Sequence, residues 1–185
     1  MSLEEELGLI ITMRFHLDMK LQKDEHRMID NKFPITEDDV IKAQSLWAEN
    51  VINIGKLYIK KGNYKEYARN FVNKFYAYGT SKVLFKPTLA SSKQFRNTFE
   101  DALSYFNGGE VREDDGFALN CWDEIYYGER NIIIMERHAL AMGNYYFKSS
   151  KQNVIKVEFT FGYLKDVMGN LLINLHHSSL PYIKK

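Results

Sequence analysis

Two textures meet in this chain, and their order predicts its fold class: α+β, with N-terminal helices packed on a strongly curved antiparallel sheet. Between about residues 36 and 107 apolar side chains recur every three or four positions, the period of a helix with one buried face. After about residue 116 the chain turns to runs rich in β-branched and aromatic residues, separated by Gly, Asn and Asp, as in hairpin-connected strands. Size supplies the third observation: 185 residues, 45% of them hydrophobic, suffice for one packed domain and are too few for two.

Residues 1–34 carry charges scattered through MKLQKDEHRMIDNK without a period, and read as an N-terminal extension, helical or partly ordered, ahead of a single domain at 35–185. Pro34 stops what precedes it. Thr36 is placed to cap a helix, with Asp39 standing where a capping box has Glu. Val40, Ala43, Trp47, Val51, Ile54 and Tyr58 then form one stripe until KKGN at 60–63 ends it. Tyr64, Tyr67, Phe71 and Phe75 predict a second helix closed by Gly79, and KVLFKP predicts a short strand. In SSKQFRNTFEDALSYFNGG, Ser91 or Ser92 can cap a third helix. There Phe95, Phe99, Ala102, Leu103 and Phe106 share a face, and Gly108-Gly109 supply the stop. Beyond the loop EVREDDG, the segments FALNCWDEIYY, NIIIMERHALAMGNYYFK, VIKVEFTFGYLKD and LLINLHHSS predict four or more antiparallel strands.

Composition removes several functions. Lys and Arg number 25 against 24 acids, and a net charge of +1 gives no global field for nucleic acid or an acidic membrane surface. Cys121 is the single cysteine, which leaves no intrachain disulfide and no thiolate cluster for zinc, and fits a reducing compartment. The run LGLIITM is short, and EEE before it has the wrong sign for a signal peptide. No apolar stretch approaches the ~20 residues of a membrane span, so a cytoplasmic protein is expected.

The chemistry concentrates near the end, in INLHHSSLPY. Strand side chains alternate faces. In VIKVEFTFGYLKD the inward set is Ile155, Val157, Phe159, Phe161 and Tyr163. Strict alternation in LLINLHHSS places Leu171, Ile173, Leu175, His177 and Ser179 on the apolar face, and Leu172, Asn174, His176 and Ser178 on the other. A His and a Ser ending an apolar row must find partners, or each loses about 1–3 kcal/mol by desolvation. They either satisfy each other and the backbone or face a polar pocket, and the pattern leaves both open. A catalytic zinc wants about three protein ligands, whereas adjacent strand residues His176 and His177 project to opposite faces. His138 is a conceivable further ligand, but His-x-Glu, His-Glu-x-x-His and Cys-x-x-Cys spacings are absent, so no metal is expected. There is no G-x-S-x-G elbow and no G-x-x-x-x-G-K-[ST] loop. Tyr145-Tyr146 reads as sheet-face packing.

Taken together, LFKPTLASSKQFRNTFEDALSYFNGG, GFALNCW, AMGNYYF, KVEFTFGY and INLHHSSLPY resemble the iota-class carbonic anhydrases of bacteria and algae. That family belongs to a wider group related to the association domain of calcium/calmodulin-dependent kinase II, with a nuclear-transport-factor-2-like cone. The resemblance covers roughly residues 35–182. It implies a helix-backed, curved sheet whose mouth forms a pocket with Thr88, Tyr105, His177 and Ser179 as its polar groups. Leu175 stands where some members carry a third His linked to metal dependence, and Leu180 alone precedes Pro181, so the chain resembles the members that work without metal or other cofactor. Pro is expected where Cys121 precedes Trp122, a departure that alters a loop.

The activity implied is reversible hydration of carbon dioxide to bicarbonate. Bulk water has a pKa near 15.7, which zinc enzymes lower to about 7, so a metal-free site needs another route for the proton. On this reading Tyr105 positions and helps deprotonate the water, His177 orients it or relays the proton, and Thr88 and Ser179 hold the carboxylate oxygens. Ile173, Leu175 and the helix phenylalanines supply an apolar wall. The alternatives are a non-catalytic small-molecule-binding or oligomerisation module of the kinase-association type, or an isomerase or dehydratase with Asp123 or Glu124 as its acid. Expected partners are carbon dioxide and bicarbonate and a second copy, in a homodimer formed through the sheet, with neither nucleic acid nor membrane.

Overall fold

The computed structural model describes residues 12–20, 34–151 and 153–184. The chain divides into two compact units, Met1–Pro34 and Ile35–Lys185. In the first, residues 12–20 form a helix, α1, with exposed side chains; the expectation for residues 1–11 and 21–33 lies outside the described residues.

The second unit begins as the sequence predicts. Helix α2 (Glu37–Ile59) carries a complete capping box: the Asp39 N–H donates to Thr36 Oγ1 at 3.1 Å and the Thr36 N–H donates to the Asp39 carboxylate at 3.0 Å. It buries Val40, Trp47, Val51 and Ile54, while Tyr58 at its end is exposed and packs edge-on against Tyr64. Helix α3 (Tyr64–Phe75) buries Ala68, Phe71, Val72 and Phe75. A 3-10 turn (Ala77–Gly79) leads to β1 (Leu84–Lys86).

Helix α4 (Phe99–Asn107) is shorter than its sequence suggests, because Thr98 caps it rather than Ser91 or Ser92. Those serines serve another partner. The Glu113 carboxylate accepts from the N–H groups of Ser91, Ser92 and Lys93 and from the Ser91 hydroxyl, at 2.7–3.0 Å. This holds the segment as a loop, and Phe95 is exposed.

Four strands follow: β2 (Trp122–Met135), β3 (His138–Ser149), β4 (Val154–Lys165) and β5 (Leu171–Ser179). The order across the sheet is β1-β5-β4-β3-β2. β2 to β5 pair antiparallel and β1 lies parallel on β5, so the five-stranded sheet is mixed rather than wholly antiparallel, and it is open. The stretch NIIIMERHALAMGNYYFK is two strands, turned at Glu136 with φ 26° and Arg137 without any glycine. The inner face of the sheet carries Tyr145, Phe147, Val157, Phe159, Phe161 and Tyr163, all buried, and Trp47 of α2 packs against it. Among the described residues no helix is long and apolar enough to cross a membrane.

The parity expected for β5 is overturned halfway along. Gly162 pairs with Leu175, but the next pair is Tyr163 with Ile173, so β5 spends two residues where β4 spends one. Asn174 is the extra residue of a β-bulge, and beyond it every side chain of β5 changes face. Ile173 is buried as predicted, yet the inward residues that follow are His176 and Ser178, each 2% exposed. His177 is exposed, and Ser179 donates to Glu158 on the outer side at 3.1 Å. The bulge requires a glycine opposite: a Cβ on residue 162 would sit 2.8 Å from Leu175 Cβ and 3.0 Å from Asn174 Oδ1.

Candidate active site

Everything chemical on the inner face converges on His176. Its ring is stacked on Phe85 of β1 (centroids 4.7 Å apart, 13° between planes) and lies 4.3 Å from Phe161 of β4. Trp47 of α2 meets it edge-on at 5.7 Å. Nδ1 is 2.8 Å from the hydroxyl of Tyr76, which follows α3, and Nε2 is 3.4 Å from the hydroxyl of Tyr145 on β3. The Trp47 indole N–H donates to the Tyr76 oxygen at 3.1 Å. At the other end Tyr145 is hydrogen-bonded to Ser178, and Thr88, just beyond β1, donates to Ser178 Oγ at 2.9 Å. Six side chains from five separate segments thus form one polar row through an aromatic core.

Tyr105 of α4 joins this row at the Thr88 end. Its hydroxyl oxygen accepts from the Leu89 N–H, next to Thr88. The ring is clamped face-on by Phe117 at 5.4 Å and edge-on by Phe85 at 5.7 Å. Behind α4, the fully buried Arg96 donates to Asp114 at 2.7 Å, and Asp114 accepts from Ser104 at 2.7 Å, which pins the loop after α4 against the helix.

Burial sets the charge states. The His176 imidazole is pushed down to about 3, first by desolvation and then by the neighbouring charge of His177, so it is neutral at physiological pH. Tyr76, Tyr105 and Tyr145 are pushed up from the ordinary phenol range, chiefly by desolvation. The row is therefore an array of neutral donors and acceptors, with neither a ready base nor a fixed charge. Such groups suit an oxyanion that forms during a reaction, since they are already aimed and need no reorganisation. Among the described residues no three His, Cys, Asp or Glu side chains gather where they could hold a metal ion.

Known proteins share this arrangement of chain. The family model of the metal-independent carbonic anhydrases matches residues 38–180. The chain belongs to that family. A metal-independent carbonic anhydrase from Nostoc sp. is 40% identical over 153 residues, which cover 80% of this chain and 75% of the relative. The crystal structure of a cyanobacterial iota-carbonic anhydrase complexed with bicarbonate superposes with a TM-score of 0.79 at 38% identity, over 82% of this chain and 95% of that one. A nuclear-transport-factor-2-like protein from Salmonella enterica is a more distant likeness, 12% identical with a TM-score of 0.48, over 79% of this chain and 96% of that one.

Within this metal-independent carbonic anhydrase, some of the residues singled out from the sequence come together and others do not. Thr88 and Tyr105 stand at one end of the polar row, as expected of inward groups. His177 and Ser179 do not, and the bulge puts His176 and Ser178 in their stead. Trp47, Tyr76 and Tyr145 were not foreseen. Tyr145 sits in the Tyr145-Tyr146 pair, where alternation puts one ring inside; Tyr146 stacks outside on Tyr126 at 4.9 Å. Tyr76 lies between helix and strand with no period to mark it, though its bridge to Ile173 places it beside β5. Cys121 has φ 57°, which the proline ring cannot adopt, so a Pro there would demand a different loop.

Proposed function

We propose that Thr88, Tyr105, Tyr145, His176 and Ser178 form the site where this carbonic anhydrase interconverts carbon dioxide and bicarbonate. The observation that carries the assignment is the row of neutral hydroxyls organised about His176 inside an aromatic wall. Carbon dioxide, small and nonpolar, lodges against Phe85, Phe106 and Phe117. A water held by Thr88 attacks its carbon. As the new C–O bond forms, one π pair of carbon dioxide moves to oxygen, and the growing charge is met by the hydroxyls of Ser178 and Tyr105. The proton shed by the water passes through water to solvent at the adjoining loop, where Leu89, Ser91 and Ser92 are exposed, while Thr88 keeps its own proton on Ser178. The sum is carbon dioxide plus water giving bicarbonate plus a proton, with no charge stored on the enzyme.

His176, neutral and enclosed, holds Tyr145 and through it Ser178 in register, in place of the relay role expected of His177. The test is stopped-flow hydration of carbon dioxide by chelator-treated protein. Activity unchanged by chelation, and reduced about tenfold or more by Ser178→Ala, is the expected result. Activity lost on chelation and restored by zinc would overturn it.

The chain also pairs with a second copy through the outer face of the sheet, in this reading. Ile133, Leu140, Met142 and Val154 on neighbouring strands are 40–62% exposed, more apolar surface than a lone sheet covers well. Sedimentation giving a dimer at micromolar concentration, abolished by Met142→Lys, is expected; a monomeric wild-type protein contradicts it.

A further inference from the structure

We infer that Trp47, which touches no reacting atom, sets the direction of the whole hydrogen-bond row and so decides which hydroxyls are left free to donate to the substrate. The inference rests on the carbonic anhydrase reading for its consequence and on geometry alone for its first half. An indole N–H can only donate. Trp47 is 1% exposed, and its Nε1 lies 3.1 Å from the Tyr76 oxygen, so that oxygen accepts. Tyr76 must place its own proton elsewhere, and among the described residues the other partner of its hydroxyl is His176 Nδ1, at 2.8 Å. Nδ1 therefore accepts.

A neutral imidazole that accepts at Nδ1 carries its proton on Nε2. Nε2 donates to the Tyr145 oxygen, which leaves the Tyr145 proton for its hydrogen-bond partner Ser178, whose oxygen also accepts from Thr88. With its oxygen filled from both sides, the Ser178 proton is the first in the row without an internal acceptor. It is left unused within the row, as is the proton of Tyr105, whose oxygen is filled by the Leu89 N–H. One donor-only group at the Trp47 end thus leaves two O–H donors unused at the Thr88 end. Trp47 is a positioning residue, and its work is the tautomer of His176.

That tautomer can be read without any assay of catalysis, from the 15N resonances of the His176 ring in histidine-labelled protein. The wild type is expected to show the Nε2–H form alone. Trp47→Phe keeps an aromatic ring but removes the donor, which frees Tyr76 to turn and accept from Nδ1–H. The second tautomer should become substantially populated, and kcat for hydration should fall about fivefold or more with KM little changed. Because Trp47 packs against several rings, Tyr76→Phe serves as a second variant that removes the same lock at nearly constant volume, and it too should admit the second tautomer. An Nδ1–H form in the wild type overturns the inference, as does a single unchanged tautomer in both variants. A wild-type protein with the Nε2–H form but no hydration activity removes the functional reading and, with it, the consequence drawn for the substrate. An active protein with the wrong tautomer removes the role of Trp47 alone.

Discussion

Acidification should destabilise this protein well before its carboxylates protonate, because of one imidazole. His176 is held near 3 in the folded chain by burial and then by His177, against about 6.5 when unfolded. Between those values the unfolded chain binds a proton that the folded chain refuses. The group's contribution is therefore complete above about pH 6.5 and is lost as pH falls towards 3. Each pH unit inside the window is worth about 1.4 kcal/mol, so moving from pH 6.5 to 5 should remove about 2 kcal/mol. The assay is urea unfolding at pH 7, 6.5, 6, 5.5 and 5 for the wild type and for His176→Gln, whose amide can still meet Tyr76 or Tyr145 but does not titrate. Carboxylates such as Glu113, held near 2 first by the Ser92 N–H, act in both proteins and cancel in the difference. The gap between the two curves should close by about 2 kcal/mol over that range. A constant gap would refute the claim that His176 is buried and neutral. The same reasoning predicts a pH–rate profile for hydration with no inflection at imidazole values between pH 6 and 8.

Other substitutions probe single links. Tyr105→Phe should lower hydration about tenfold or more while leaving thermal unfolding nearly unchanged; full activity would remove the hydroxyl from the mechanism. Gly162→Val should cost about 1–3 kcal/mol and most of the activity, since its Cβ meets Leu175 and Asn174 and the bulge cannot close around it; a stable, active variant would show that the bulge does not set the face of His176. Thr36→Ala should cost about 1 kcal/mol by removing half of the capping box, with activity intact, as calorimetry can check.

The helices and strands were legible because their signals are local. A stripe from Val40 to Ile54 has one period, and Thr36 with Asp39 names its own start. Where a distant partner decides, the sequence misled. Ser91 and Ser92 look like caps until Glu113, some twenty residues on, claims their N–H groups. Phe95 falls out of the helix with them. The inward polar residues of β5 were legible by type and misplaced by one register. Alternation read forward from Ile173 reaches His177, and only the pairing with β4 reveals the extra residue at Asn174. A trace of it was present: Gly162 interrupts an otherwise bulky strand, and an isolated glycine in a strand marks a bulge or a close approach. Gly143 carries the same message, for a Cβ there would lie 2.2 Å from the Glu129 carbonyl at the second irregularity, between β2 and β3. Trp47, Tyr76 and Tyr145 could not be joined beforehand, since their hydrogen bonds span 29, 100 and 31 residues.

The central claim is that the chemistry lies on the inner face of β5, at His176 and Ser178, one residue before the pair that simple alternation selects. The most direct measurement compares Ser178→Ala with Ser179→Ala in stopped-flow hydration of carbon dioxide. Ser178→Ala should lose about tenfold or more in kcat/KM, whereas Ser179→Ala, whose hydroxyl donates to Glu158 on the outer face, should match the wild type. Loss of activity in Ser179→Ala with Ser178→Ala unaffected would contradict the account.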